Sequence, residues 1–328
     1  MKSIVTLGGG TGQFTLLSGL KKFPVLLTAI VSMADDGGSS GVLRDELGVL
    51  PPGDVRQCLV ALSEADGIVR ELFNYRFDQG GLKGHNFGNI FLSALEKISG
   101  NFEEAVRVSG AVLSTRGSVI PVTTQDMRLV CLMPGTAGAS RAVVRGEHAI
   151  GDATVSGEPE FYLEPEAQAN PKALKAIESA DCIVIGPGDL YCSIYPSLLV
   201  QGLSEAISRS RAKVVYNCNL MNKAGHTDDF AVRDYVETIE RRLGRGRVDY
   251  VTYNQRLPDR DLLERYAQEE VYPVGSCCDG LTCETLAADL LSREIPVARS
   301  GDVLKRTLIR HDSSVLASLI VKKCLGGT

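Results

Sequence analysis

The stretch Ser-Ile-Val-Thr-Leu-Gly-Gly-Gly-Thr-Gly, residues 3–12, decides the fold class of this 328-residue chain. Its first half is a short apolar run, typical of a buried strand, and its second half is a glycine-rich loop. A helical pattern follows at Phe14–Lys22, and a second apolar run follows at Leu26–Val31. A strand, a helix and another strand in this order predict a parallel sheet covered by helices.

The same alternation returns in the second half of the chain. Strand-like runs at Cys182–Ile185, Lys213–Tyr216 and Val248–Thr252 alternate with helical patterns, one of them at Leu198–Ser208. Between about 119 and 163, short alternating runs separated by glycine and proline predict a small antiparallel β insert. We therefore expect an α/β chain with a mostly parallel sheet, forming one nucleotide-binding domain over residues 1–328.

Composition excludes several classes of protein. The net charge of −5 and the pI of about 5.5 provide no overall basic field for nucleic acid or anionic lipid. The apolar runs are too short to span a bilayer, and Met1-Lys2 leads directly into a predicted strand, so neither a membrane span nor a signal peptide is expected. The nine cysteines include no C-x-x-C pair, which favours reduced thiols in the cytoplasm over a disulfide framework or a zinc site.

Glycine-rich or polar loops follow the predicted parallel strands. Gly8–Gly12 follows the first strand, Ser32–Gly41 the second, and Gly186–Tyr191 follows Cys182–Ile185. Ligands of open parallel sheets bind beyond the carboxyl ends of the strands. Glycine lets backbone N–H groups approach an anion closely, so these loops predict a phosphate-bearing ligand at that edge.

The first loop matches neither common phosphate-binding motif. Gln13 and Thr15 stand where G-x-G-x-x-G requires a small residue, and the lysine of the P-loop is missing. A tight turn would use some of the glycines. Four glycines around Thr11 exceed what a turn requires, so we interpret this loop as a phosphate contact outside the dehydrogenase pattern.

The second loop places adjacent carboxylates, Asp35 and Asp36, inside a glycine–serine turn. They could hold Mg²⁺ through a diphosphate, because magnesium favours one or two carboxylates together with phosphate oxygens. Orienting a ligand hydroxyl and capping the turn are the alternatives. Asp54, at a predicted helix start, is interpreted as a cap or a ligand contact, and His85 as a residue near the ligand rather than a catalytic one.

Five motifs occur in a fixed order over most of the chain. They are Gly-Gly-Gly-Thr-Gly at 8–12, Ala-Asp-Asp-Gly-Gly-Ser-Ser-Gly at 34–41, Pro-Pro-Gly-Asp-x-Arg at 51–56, Gly-His-Asn-x-Gly-Asn at 84–89 and Ile-Gly-Pro-Gly at 185–188. This set resembles the bacterial gluconeogenesis factor (YvcK-like) family of the CofD-like superfamily, which also contains 2-phospholactate transferase. The resemblance implies a CofD-like, Rossmann-related three-layer α/β/α sandwich.

The resemblance also implies a function. The bacterial branch is associated with binding of a nucleotide sugar such as UDP-N-acetylglucosamine, and with gluconeogenic growth and cell shape, as a cytoplasmic regulator with no established reaction. The alternative is a Mg²⁺-dependent 2-phospholactate-type transferase that uses a nucleoside diphosphate-linked donor. A nicotinamide-dependent oxidoreductase is disfavoured by the first loop. Monomer and homo-oligomer both stay open.

The resemblance adds two residues near the end of the chain. Tyr266-Ala267 and Arg310-His311 match family positions tied to ligand binding, and Tyr266 would stack on a uracil ring while Arg310 pairs with a phosphate. Asp189 departs from the family, since it would repel a phosphate unless a metal or an arginine intervened. The candidate ligand-binding residues are Gly9, Gly10, Thr11, Gly12, Asp35, Asp36, Gly37, Ser39, Ser40, Arg44, Asp54, His85, Asn86, Asn89, Gly186, Gly188, Asn219, Tyr266 and Arg310, with Asp35 and Asp36 as candidate metal ligands.

Overall fold

A seven-stranded parallel sheet forms the centre of the computed structural model, which describes residues 1–134, 142–155, 157–293 and 308–326. The strands in these ranges are β1 (Ser3–Gly8), β2 (Leu26–Val31), β3 (Ser118–Pro121), β4 (Arg128–Met133), β5 (Ala142–Arg145), β6 (Glu160–Glu164), β7 (Cys182–Ile185), β8 (Lys213–Asn217), β9 (Tyr250–Asn254) and β10 (Glu284–Ala288). The order in the large sheet is β10-β9-β8-β7-β1-β2-β3. The α/β fold predicted from the strand–helix alternation is therefore confirmed.

The helices of the described ranges connect these strands. They are α1 (Gly10–Leu20), α2 (Gly38–Leu47), α3 (Gly53–Leu62), α4 (Gly67–Asn74), α5 (Phe87–Ser99), α6 (Phe102–Val112), α7 (Glu147–Asp152), α8 (Pro171–Glu178), α9 (Tyr195–Leu199), α10 (Leu203–Arg209), α11 (Val232–Leu243), α12 (Arg260–Ala267) and α13 (Ser313–Leu325). A short π-helical turn, Leu190–Ile194, follows β7. Within these ranges no helix combines the length and the apolar character that a membrane crossing requires.

The centre of the sheet explains where the site lies. β1 is paired in parallel with β2 on one side and with β7 on the other. Ile4, Val5 and Leu7 of β1 are all buried, because helices cover both faces of a parallel sheet. From β1 the chain continues to β2 and β3 on one side of the sheet, whereas β7 to β10 lie on the other side. The connections therefore leave this point in opposite directions, and a crevice opens beyond the carboxyl end of β1.

The predicted β insert is a three-stranded antiparallel sheet in the order β5-β4-β6. In β6, Phe161 and Leu163 are buried while Glu160, Tyr162 and Glu164 are exposed, which is the alternation that predicted the strand. Residue 119, where the insert was expected to begin, lies in β3 of the large sheet, and the small sheet begins at Arg128. Arg141, the expected start of β5, lies outside the described residues.

Two helix predictions require correction. The helix expected over 198–208 is two helices, α9 and α10, because Gly202 has a φ of +89° and interrupts the pattern. The second glycine-rich loop, Ser32–Gly41, was expected to be a loop throughout. Its last four residues are helical instead, because α2 begins at Gly38. Serine and glycine are weak helix formers, so residues 38–41 carry little helical signal.

Candidate functional site

A cavity of about 460 Å³ lies beyond the carboxyl ends of β1, β7 and β8. Its walls come from the loops after these strands, from α12 and from the segment 308–311. Eight of the predicted residues line it: Gly9, Gly10, Thr11, Gly12, Gly188, Asn219, Tyr266 and Arg310. The rule that ligands bind beyond the carboxyl ends of parallel strands therefore located the cavity correctly.

Close packing explains two glycines of the first loop. A Cβ atom at Gly9 would lie 2.0 Å from Oδ2 of Asp54, and one at Gly12 would lie 2.0 Å from the carbonyl oxygen of Pro187. Gly10 has a φ of +63° and begins α1, whose N-terminus points its partial positive charge towards the cavity edge. The glycines thus let the loop approach two neighbouring segments, and they also leave main-chain donors at the cavity wall.

Among the residues that the structure describes, two hydrogen-bond acceptors in the cavity wall have no partner. The amide nitrogen of Asn219 donates to the carbonyl oxygen of Gly188 at 2.9 Å, and its Oδ1 is buried with no partner among the described residues. The ring of His311 is hydrogen-bonded to the backbone of Cys218. Its Nε2 atom has no hydrogen-bond partner among the described residues. Burial lowers the pKa of His311 to about 4, so its ring is neutral and Nε2 is an acceptor at physiological pH.

The charged residues at the cavity are mainly cationic. Lys223, Arg265 and Arg310 line it together with two carboxylates, Asp189 and Glu269. This balance suits a ligand that carries negative charge, since guanidinium and ammonium groups pair with phosphate oxygens.

Tyr266 connects α12 to the last wall of the cavity. Its hydroxyl oxygen accepts the backbone N–H of Leu308 at 2.7 Å and that of Ile309 at 3.4 Å. These bonds hold the segment that carries Arg310 against the cavity. Tyr266 itself lines the same space, and its stacking on a base stays a prediction.

A cluster of partly buried carboxyl groups lies directly behind the first loop. Asp54 accepts the backbone N–H of Gly10, and Asp35 is bonded to the backbone of Gly37 at 3.1 Å and to the Ser40 hydroxyl. Burial and the charge of Asp35 raise the pKa of Asp54 to about 7, and burial raises the pKa of Asp35 as well. Glu147, on α7, has its pKa raised to about 9 by burial and then by the neighbouring carboxylates.

Asp36 has surroundings that differ from those of Asp35. Its carboxylate accepts the backbone N–H groups of Glu147 at 3.2 Å and His148 at 2.8 Å, at the start of α7. Arg128 of β4 lies 3.8 Å away. Asp36 therefore joins the large sheet to the small one, whereas Asp35 lies near Asp54. A metal held by both Asp35 and Asp36 stays a prediction.

A network of polar side chains joins α2, α3 and α5. The hydroxyl of Ser39 contacts Nδ1 of His85 and accepts the backbone N–H of Asn86 and the amide of Asn89, each at 3.3 Å. Arg56 donates from Nε to Oδ1 of Asn89 at 2.9 Å, and burial lowers the pKa of Arg56 to about 10. Ser39, His85, Asn86 and Asn89 were predicted to contact the ligand, but they lie outside the cavity lining and anchor the helices behind it.

Two further candidates also lie outside the lining. Arg44 is buried, donates from Nη2 to the carbonyl oxygen of Met127 at 2.6 Å and pairs with Asp126, so it fixes α2 to the segment before β4. Gly186 has a φ of +71°, and its carbonyl oxygen accepts from Asn217 at 3.0 Å. It shapes the turn that brings Gly188 to the cavity.

Comparisons with known proteins agree with this architecture. Residues 4–291 match the family described as 2-phospho-L-lactate transferase CofD. The chain is 40% identical over 98% of its length to the gluconeogenesis factor of Halalkalibacterium halodurans, covering 96% of that protein. It is 38% identical over 97% of its length to that of Bacillus subtilis, covering 96%. The chain belongs to the CofD family and, within it, to the gluconeogenesis factors.

A solved structure supports the same assignment. The crystal structure of a member of the UPF0052 family from Bacillus halodurans matches this fold with a TM-score of 0.88 and 38% identity, over 98% of each chain. The family predicted from the five ordered motifs is therefore confirmed, and so is the α/β fold that it implied.

Sequence reasoning missed several site residues of this gluconeogenesis factor. Arg265, in α12, and Glu269, in the turn after α12, line the cavity on either side of Tyr266. Glu147 was missed because it belongs to the insert and reaches the carboxyl cluster only through tertiary packing. No pattern in the sequence linked it to Asp35 or Asp54.

Proposed function

We propose that this gluconeogenesis factor is a cytoplasmic regulatory protein that binds a nucleotide sugar of the UDP-N-acetylglucosamine type and releases it unchanged. One observation carries the proposal. The glycine loop, the N-terminus of α1, Tyr266 and Arg310 all line a single cavity. A nucleoside diphosphate offers two phosphates and a flat base, which are the groups that these features bind.

The dimensions and polarity of the cavity support this ligand class. A volume of about 460 Å³ lies within the usual range for small-molecule sites. The diphosphate would lie at the first loop near Arg310 and Lys223, with the base on Tyr266. The unpartnered acceptors on Asn219 and His311 would then receive N–H or O–H groups of the base or the ribose, which removes the cost of leaving them unpaired.

Calorimetric titration with UDP-N-acetylglucosamine tests the proposal. We expect saturable binding and recovery of intact ligand by chromatography. Arg310→Gln should weaken binding about tenfold or more, because a hydrogen bond to a charged group contributes about 1.5–3 kcal/mol. Arg211→Gln, an exposed arginine outside the cavity lining, is the matched control. Absence of binding, or equal affinity in the two variants, would contradict the proposal.

The buried carboxyl groups favour a second candidate function, a metal-dependent transferase. Asp35 and Asp54 fit Mg²⁺, since burial raises the pKa of both carboxyls and a dication would offset the repulsion between their charged forms. When bound, Mg²⁺ would stabilise charge on a donor phosphate. Asp35 and Asp54 would hold the ion while the first loop orients the donor.

Ligand recovery with and without Mg²⁺ separates the two functions. A regulator returns the nucleotide sugar intact under both conditions, whereas a transferase consumes a nucleoside diphosphate-linked donor only when metal is present. In a transferase, Asp35→Asn should lower turnover more than it lowers donor affinity. Metal-dependent turnover that is unimpaired in this variant would exclude the role of Asp35.

A further inference from the structure

Three metal-ligating side chains of different chemical types meet at the edge of the cavity. A carboxylate oxygen of Asp189, Sγ of Cys192 and a ring nitrogen of His226 all lie within 4.8 Å of one another. Asp189 and Cys192 come from the start of the π-helical turn after β7, and His226 comes from the loop before α11. Cys192 is 3% exposed and His226 is 6% exposed.

The ring of His226 is oriented as a metal ligand would be. Its Nε2 lies 3.0 Å from the carbonyl oxygens of both Ile150 and Ala153. Because a carbonyl oxygen can only accept, Nε2 carries the proton and Nδ1 carries the lone pair. Nδ1 is buried and has no hydrogen-bond partner within the ranges that the structure describes. Histidines that bind metals usually donate their other ring N–H to a carbonyl or carboxylate in this way.

The other two side chains are also held in place. One carboxylate oxygen of Asp189 accepts the backbone N–H groups of Tyr191 at 3.1 Å and Cys192 at 3.0 Å. The thiol of Cys192 donates to the carbonyl oxygen of Glu147 at 3.7 Å and lies beside the Asp189 carboxylate. The protein therefore holds the donor atoms of Asp189 and Cys192 close together.

We propose that Asp189, Cys192 and His226 form a binding site for one zinc-type transition-metal ion. Thiolate and imidazole donors favour Zn²⁺, Co²⁺ or Fe²⁺ over Mg²⁺ or Ca²⁺, which prefer oxygen ligands. In a tetrahedral site with bonds of about 2.0–2.3 Å, neighbouring donor atoms lie about 3.5 Å apart, so each pair of donor atoms needs to approach by about 1.3 Å at most. The thiol proton leaves to solvent as the metal binds.

The site would keep one coordination position open. Three protein ligands leave the fourth position of a tetrahedral ion to water or to a ligand oxygen. Asp189 lines the cavity, so that position lies at its wall. The sequence favoured no zinc site because its cysteines form no C-x-x-C pair, whereas these ligands come from two separate loops. The metal site does not depend on which molecule occupies the cavity.

Cobalt binding by the full chain tests the proposal. The purified protein is stripped of metal with a chelator and titrated with Co²⁺ while the absorption spectrum is recorded. We expect one Co²⁺ per chain, a near-ultraviolet thiolate-to-cobalt charge-transfer band and displacement of that band by Zn²⁺. A spectrum without the charge-transfer band would overturn the proposal.

Two variants, with one control, test the roles of Cys192 and Asp189 in the site. Cys192→Ser should abolish the band, whereas Cys218→Ser, a buried free thiol outside the cluster, should retain it. Asp189→Asn keeps an oxygen for the two backbone N–H groups and so guards against misfolding. Loss of a residue that only hydrogen-bonds to a metal ligand lowers metal affinity about 10–100-fold. We expect Asp189→Asn, which changes a ligand itself, to lower Zn²⁺ affinity by at least that factor. A band that survives in Cys192→Ser, or unchanged Zn²⁺ affinity in Asp189→Asn, would exclude the site.

Discussion

Replacing Asp54 with asparagine tests whether the buried carboxyl behind the first loop destabilises the folded protein at neutral pH. Burial, and then the charge of Asp35, raise the pKa of Asp54 from 3.8 to about 7. Between these values the folded chain keeps a proton that the unfolded chain releases, so the free energy of unfolding falls as the pH rises. At about 1.4 kcal/mol per pH unit, the fall between about pH 5 and about pH 8 reaches at most about 3 kcal/mol.

The variant removes this titration and leaves the local hydrogen bond in place, because the amide oxygen of asparagine can accept the N–H of Gly10. Urea unfolding followed by circular dichroism at about pH 5 and about pH 8 gives the two free energies for each protein. Wild type should lose about 1–3 kcal/mol more stability than Asp54→Asn over this interval. Asp229→Asn, at an exposed position, should lose as much as wild type. An equal loss in wild type and Asp54→Asn would refute the reasoning.

Three further predictions concern packing and the cavity wall. Gly12→Ala should lower stability by about 1–3 kcal/mol in thermal unfolding, because its Cβ would lie 2.0 Å from the carbonyl oxygen of Pro187; an unchanged melting temperature would contradict this. Tyr266→Phe keeps the ring but removes the acceptor for the N–H of Leu308. Affinity for UDP-N-acetylglucosamine, measured by calorimetry, should therefore fall about fivefold. Unchanged affinity would show that the hydroxyl does not support the cavity wall formed by the segment 308–311. Ile183→Ala, at a fully buried position of β7, should cost about 2–5 kcal/mol in urea unfolding, and a cost well below about 1 kcal/mol would mean that the site collapses around the missing atoms.

The centre of the fold could be predicted because burial on both faces leaves continuous apolar runs. The strands β2 and β7 have the bounds expected from the sequence, and β1 extends one residue further, to Gly8. The edge strand β10, Glu284–Ala288, was missed because only Leu286 in it is buried. A strand that pairs on one side and is half-exposed has little sequence signal of its own.

The site was predictable where topology determines it and unpredictable where packing does. Loops after parallel strands must meet, which placed Gly9–Gly12, Gly188 and Asn219 at one cavity. Ser39 and Asn89 resemble ligand contacts in sequence, yet they bond to each other at a helix junction. Side chains of the same type serve both purposes, so only their three-dimensional neighbours separate a binding residue from a buried anchor.

The cavity draws its walls from both the early and the late parts of the polypeptide, and this has a consequence for synthesis on the ribosome. The segment 308–311 is made about 300 residues after Gly9–Gly12, a delay of on the order of 15–60 s at about 5–20 residues per second. Helix α1 also packs closely against α13, which is synthesised last: the carbonyl oxygen of Ser313 would lie 1.9 Å from a Cβ atom at Gly19. The glycine loop of a nascent chain is therefore complete long before Arg310 is added, and a ligand that contacts both walls would stabilise only chains whose synthesis has passed residue 310.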